Sequence, residues 1–429
     1  VARSLLVVED LRKGALILHS LSALLTWRKN DAARCTLGYY LLFLCLGLDT
    51  AVLGPTLPAL AEQTHTPLGR MGWLFLAGAV GYTLGTTLGG RVFDRVRGHP
   101  VLGMAQLTTA ALNLLVPLLP WFWLLLGVLA CQGFANGLIN TGANTLLVWT
   151  HGERVSPYMN GLHFCFGVGS FLAPMLVAQV IGVPGGYYWA YWSLAACATL
   201  VSLRLLTLAG HPQPAYHHDS GPRALVGTRI SSPLVISAAL FLFFYVGAEV
   251  AFGGWVYTYA VTLKLASAVG AAYLTSGFWL SFTLGRLISI PLATRFTPPQ
   301  IVLAALCICL SILAMVIIIP DSSVILWIAA LGLGFGMAPL WPTGFTLAGQ
   351  SLTLTASVSG MILLGDSFGC VVLPWLVGQV MEAIGPRALV YLVFGSLVGD
   401  VLAFVAMLRL RPVLNRQLFV SSAQDNGCP

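Results

Sequence analysis

Apolar runs of about 20 residues, the length that crosses a bilayer as a helix, recur along this chain between short polar turns. They fall at about residues 36–60, 72–91, 101–119, 121–147, 157–182, 186–208, 234–262, 268–291, 300–319, 322–347, 355–382 and 386–410. The pattern predicts twelve spanning helices. The longest polar connection, 209–233, is rich in Pro, His, Gly and Ser and divides the spans six plus six. Residues 1–35 carry mixed charges around an apolar stretch, 14–27, that is too short to span; they are expected to form a tail at the membrane surface or to be an over-extended start. No small-residue cleavage site precedes a soluble domain, so this stretch does not read as a signal peptide. Residues 411–429 are expected to form a second tail.

Composition narrows the class. Of 429 residues 58% are hydrophobic and 8% are charged, where soluble domains carry about 25% charged residues. So few charges cannot cover a water-facing surface, which excludes a soluble enzyme, and the apolar content excludes a disordered or fibrous chain. No nucleophile–base pair or metal cluster sits on a polar loop, so no enzyme and no cofactor is expected. The nine cysteines are scattered through apolar segments in neither a zinc pattern nor a disulfide framework. The net charge of +7 reads as a topology signal, not a nucleic-acid one. With the N-terminus inside, 18 of the 21 Lys and Arg residues fall on inner segments, leaving Arg70, Lys264 and Arg387 outside. This bias predicts both termini in the cytoplasm and a multi-pass protein of the plasma or inner membrane.

The halves repeat at an offset of 200 residues. Gly47, Asp49, Ala51 and Gly54 answer to Gly247, Glu249, Ala251 and Gly254; Thr83, Gly85 and Arg95 to Thr283, Gly285 and Arg295; Gly169, Pro174, Val177 and Gln179 to Gly369, Pro374, Val377 and Gln379. Three helix pairs in one ungapped register point to a duplicated six-helix unit, the parallel repeat of transporters that bind solute between halves.

Gly90, Asp94 and Arg95, in the order Gly-Arg-Val-Phe-Asp-Arg between spans two and three, resemble the G-x-x-x-D-R loop of the major facilitator superfamily. The Gly and basic residues that usually follow are out of order here, at Arg97 and Gly98. More narrowly, Asn140-Thr-Gly-Ala-Asn144, Gly247-Ala-Glu249, Gly285-Arg286 and Trp341-Pro-Thr343 resemble the branch of L-fucose permeases and animal sodium-dependent glucose transporters. The resemblance implies an all-α membrane protein of two pseudo-symmetric six-helix bundles, with helices one, four, seven and ten lining a central cavity. It also implies that the loop at Gly90, Asp94 and Arg95 locks the halves together in the outward-open state, with Glu153 and Arg154 as further members.

Four acids lie within spans: Asp49, Glu249, Asp366 and Asp400. Each costs about 2.5–3.5 kcal/mol at a helix centre unless it faces water or a partner. Asp49 and Glu249 are read as ion-coupling carboxylates, or else as structural hydrogen-bonding acids; Asp366 as a cavity or ion group, or a packing residue; Asp400 as structural. The L-fucose permease resemblance supports Asp49, since that family has an acid at this place in helix one. Its second acid, in helix four, is matched by Asn140, and an amide cannot carry a proton. A two-acid coupling scheme therefore does not transfer.

Gln132, Asn136, Asn140 and Asn144 are spaced by four and form one polar helix stripe. It reads as a solute-binding face centred on Asn140 and Asn144, or as glue between helices. Trp341, between Pro339 and Pro342, offers an indole for a sugar ring beside a helix bend; packing is the alternative. Trp255, Tyr257 and Tyr259 read as interfacial belt or gate, Trp279 as a weaker solute contact, and His163 as a neutral core histidine. Together these predict a monomeric secondary transporter of a small polar solute, a monosaccharide first, moved by proton or sodium symport. Proton-coupled efflux of amphipathic compounds and a non-transporting solute receptor on the same fold are the rival readings.

Overall fold

The computed structural model describes residues 31–208, 232–350, 352 and 356–425, and among these residues it is built of helices with no strand. Its helices are α1 (Asp31–Gln63), α2 (Gly72–Phe93), α3 (Gly98–Leu115), α4 (Phe122–His151), α5 (Val155–Val180), α6 (Gly186–Leu206), α7 (Pro233–Thr262), α8 (Ala268–Ala293), α9 (Pro298–Ile318), α10 (Ser323–Met337), α11 (Leu340–Gly349), α12 (Ala356–Ile384) and α13 (Ala388–Asp425). Each expected span falls on a helix. Ten segments are long and apolar enough to cross a membrane, one of them, Phe122–Val180, holding α4 and α5 in succession. The protein is a multi-pass membrane protein.

Two helices depart from the expected pattern. The tenth span is broken between α10 and α11 at Ala338 and Pro339, where Pro339 and Pro342 remove two backbone donors. The expected tail from 411 continues α13 to Asp425. The N-terminal tail through residue 30 and the connection 209–231 lie outside the described residues.

The repeated glycines explain the shared architecture. A Cβ on Gly47 would run into Phe166 O of α5, and one on Gly169 into Leu44 O of α1. In the other half a Cβ on Gly369 would run into Phe243 O of α7, and one on Gly247 would sit 3.2 Å from Gly369 O. Helices α1 and α5, like α7 and α12, thus pack backbone to backbone. Small residues at such crossings supply the dispersion contact that holds helices together in a membrane, where hydrophobic driving force between them is weak.

The halves meet closely at one end. A Cβ on Gly54 would stand 2.7 Å from Gly254 O, so α1 packs on the α7 backbone at the equivalent glycine, whose own open side meets Phe75. Beside them Gly69 and Gly72 pack on Gly378 and Trp375. Phe75 lies against Trp255 with ring centroids 5.7 Å apart, and the Trp255 indole donates to Pro374 O at 2.9 Å. At the opposite end, which carries Arg91, Arg95, Arg97 and Arg154, the connecting loops are exposed and nothing lies within 4 Å of where a Gly90 Cβ would be.

Replacing Gly169 by Val is expected to lower the unfolding free energy by about 2 kcal/mol or more, since overpacking here meets backbone. Gly127→Ala, at a position open to space, should change it by less than about 0.5 kcal/mol. Thermal unfolding of the purified variants checks both; equal stability would show that the close approach does not hold α1 on α5.

Candidate functional site

Asp49 stands in mid-α1, and its carboxylate turns into the first half, toward α3, instead of toward the partner half. Asn113 Nδ2 donates to Asp49 Oδ1 at 2.8 Å, and Gln132 Nε2 donates to Asn113 Oδ1 at 3.0 Å. Asp49 Oδ2 is buried with no hydrogen-bond partner. The titratable groups within electrostatic reach of Asp49 are Cys45, Cys197 and Tyr191, all without positive charge. Cys45 and Cys197 lie with their sulfurs 3.7 Å apart, and the Tyr191 hydroxyl pairs with Thr56 at 2.9 Å. A carboxylate buried this way has neutral donors on one side and no ion-pair partner among the described residues.

The equivalent acid of the second half has different company. Glu249 accepts a hydrogen bond from Tyr245 OH, one turn earlier on α7. Asp366 of α12 accepts from Trp341 Nε1 of α11 at 3.1 Å. The guanidinium of Arg286, from α8, lies 4.6 Å above the Phe282 ring, and its Nε is buried without a partner. Its charge reaches Glu249, Asp366, Tyr245 and His163, yet it forms no ion pair with either acid. The described ion pairs are Arg34 with Asp31 at 3.5 Å and Arg387 with Asp321 at 3.0 Å. Two acids, an arginine, an indole and a phenol therefore form a polar cluster in the second half. Tyr82 of α2 comes within reach of Asp366 from across the seam. Acceptors on the two carboxylates and donors on the arginine and indole, with a phenol that does both, suit a polyhydroxylated solute.

The amide stripe of α4 divides. Gln132 and Asn136 are buried, Gln132 in the Asp49 chain and Asn136 with its Oδ1 unpartnered. Asn140 and Asn144 are half-buried and bonded to one another, Asn144 Nδ2 donating to Asn140 O at 2.8 Å and Oδ1 at 3.2 Å. Trp341 is half-buried with one indole face stacked on Phe345, centroids 5.6 Å apart and planes 4° apart. Gly90, Asp94, Arg95, Glu153 and Arg154 are exposed and form no ion pair among the described residues. The halves are joined at the other end, and these first-half groups have no ion-pair partner from the second half among the described residues.

The aromatic residues of α7 do not form an interfacial belt. Trp255, Tyr257 and Tyr259 are buried in protein, which removes the belt reading; Trp255 belongs to the closed seam. Trp279 is buried as well, behind Gly253. His163 is exposed, its ring edge-on to Phe43 at 5.5 Å, so it is not a core histidine. Asp400 is fully buried with neither oxygen bonded. The sequence reading passed over Asn113, Tyr245 and Tyr82 and used Arg286 only as part of a motif. A lone Arg and a lone Asn inside apolar spans are themselves the signal that would have found two of them. An apolar groove of 720 Å³ lies on the flank of α2, α3 and α4, lined by residues such as Val80, Leu84, Met104 and Phe134, away from all four acids.

A two-bundle helical membrane protein with charged groups buried on both sides of a central seam is the architecture of a secondary transporter. The family model described as Major Facilitator Superfamily matches residues 39–374, and the chain belongs to that superfamily of transporters. It is 28% identical over 410 residues to mouse sodium-dependent glucose transporter 1A, covering 86% of this chain and 95% of that one. It is 27% identical over 463 residues to human major facilitator superfamily domain-containing protein 4A, covering 85% and 89%. Among solved structures, a D-xylose–proton symporter superposes with a TM-score of 0.73 at 14% identity, covering 88% of this chain and 97% of that one. The nucleoside transporter NupG does so with a TM-score of 0.69 at 16% identity, covering 89% and 99%. These two likenesses bear on the fold alone.

Closing the seam at Gly54 and Gly254 is part of any cycle that exposes the pocket to one side at a time. Gly54→Leu is expected to lower transport by about tenfold or more, because a side chain there meets the Gly254 carbonyl, with the thermal stability of the halves retained. Undiminished transport by this variant would show that the seam need not close.

Proposed function

We propose that this protein is a symporter that takes up a monosaccharide, driven by protons or sodium. The observation that carries the coupling is Asp49, a buried carboxylate with one open oxygen and no cation in reach. Such a charge is costly to carry through a closed, water-poor intermediate. A bound proton or sodium ion removes that cost and lets the solute-loaded carrier reorient, while the solute-bound carrier without its ion does not. Glu249 and Asp366, which share Arg286, form the solute pocket in this reading and have a secondary part in coupling. Asn140 and Asn144, with Asn136 beyond them, bind solute hydroxyls from α4, and Trp341 offers its free face to the ring. The names of the relatives, sodium-dependent glucose transporters, support a sugar and a coupling ion.

The Lys and Arg distribution supports a cytoplasmic side for the arginine-rich end. On that assignment the described conformation faces inward, in a plasma or inner membrane, with the Asp94–Arg95 and Glu153–Arg154 lock released. In the outward-open state these exposed groups would pair with inner helix ends of the second half at modest strength, which suits a lock broken in every cycle. An efflux carrier for amphipathic compounds calls for a wide apolar cavity at the seam; the groups gathered there are two acids, an arginine and amides, which favours the sugar reading.

Asp49→Asn is expected to keep solute exchange across proteoliposomes and to lose accumulation against a gradient. If that variant still concentrates solute, Asp49 is not the coupling group. Trp341→Phe leaves the ring but removes the donor to Asp366. It should raise the half-saturating sugar concentration by about tenfold while accumulation ratios stay near wild type; an unchanged value would remove Trp341 from the solute site.

A further inference from the structure

The 200-residue repeat pairs Asp49 with Glu249 but breaks down around them. Asn113 corresponds to Leu313, which is fully buried in the α9 core, and Gln132 to Gly332. Only the first half places two amides in line with its acid. Burying amides between helices is costly unless each is bonded, and here the bonds run in one sense, from Gln132 to Asn113 to Asp49.

An ionised carboxylate accepts only, so the Asn113 N–H offsets part of the charge at Oδ1. Gln132 fixes Asn113 in that sense by occupying its oxygen. Oδ2 remains buried and open. The groups facing Asp49 are Cys45 on its own helix, Cys197 and Tyr191 on α6, and the amides of α3 and α4. None is a base that could displace a bound cation. A carboxylate with no compensation at all would hold a proton or sodium ion too tightly to complete a cycle.

We propose that Asn113, fixed by Gln132, is a positioning residue that engages Asp49 Oδ1, directs the coupling ion to Oδ2, and weakens its hold enough for release. The proposal rests on the reading of Asp49 as the coupling carboxylate. It names one ligand chemistry, a monovalent cation at a carboxylate oxygen; uptake driven separately by a proton gradient and by a sodium gradient tells which cation it is.

The test is sugar uptake into proteoliposomes as a function of the driving ion's concentration, with exchange measured in parallel at saturating ion on both sides. In Asn113→Leu the loss of a charge-assisted donor should lower the half-saturating ion concentration about tenfold. Its maximal gradient-driven rate should fall because release slows, while exchange proceeds as in wild type, which also shows that the variant is folded. Gln132→Leu should move the same quantities in the same direction by less, and Asn113→Gln, which keeps a donor, should lie nearer wild type. Should Asn113→Leu support no exchange, the half-saturating concentration of Gln132→Leu decides. An unchanged or raised value in these variants, with accumulation lost in Asp49→Asn, overturns the relay and leaves the Asp49 reading standing. Accumulation retained by Asp49→Asn overturns both.

Discussion

A charge inside an apolar bundle must be compensated, and the way each half of this protein meets that requirement orders the rest of the structure. In the second half Arg286 lies within electrostatic reach of Glu249 and Asp366 without pairing with either, so part of their charge is offset by the protein itself. In the first half Asp49 has two amides in line with it and no cationic group bonded to it among the described residues. In the proposed reading this asymmetry divides the labour of a symporter, with a mobile ion compensating Asp49 in one bundle and the solute leaning on the other.

The duplicated scaffold makes this division possible at small structural cost. The glycines that let α1 pack on α5 recur where α7 packs on α12, so both halves keep one architecture while their polar residues diverge. Gly54 and Gly254 add the contact that closes the halves at one end. Because that contact is backbone on backbone, it needs no charged pair there. The charged loop at Asp94, Arg95, Glu153 and Arg154 stands at the opposite end, free in this conformation.

Much of the fold was legible from the chain, for physical reasons. Spans announce themselves because lipid tolerates only long apolar helices, and Pro339 with Pro342 marked the break before α11. The repeat was visible because close helix packing tolerates only glycine at a few positions. The site was legible in part. Intramembrane acids stand out by their cost, so Asp49, Glu249 and Asp366 could be named. Their partners could not: whether Asp49 faces the seam or α3 depends on the rotation of α1, which a run of apolar residues on all sides leaves undetermined. The four-residue spacing on α4 likewise suggested one continuous face, whereas Gln132 and Asn136 are buried and Asn140 and Asn144 are half-buried, since a stripe drifting about 40° per step leaves one surface for another. His163 and Trp255 were misplaced for the same reason.

The central claim is that solute movement is tied to a cation. The most direct measurement is labelled hexose uptake by the reconstituted protein under an inward proton gradient, an inward sodium gradient, and neither. The account predicts accumulation above equilibrium with one of the two gradients and simple equilibration without them. Equilibration under all three conditions would contradict it, making the protein a uniporter and Asp49 a structural acid.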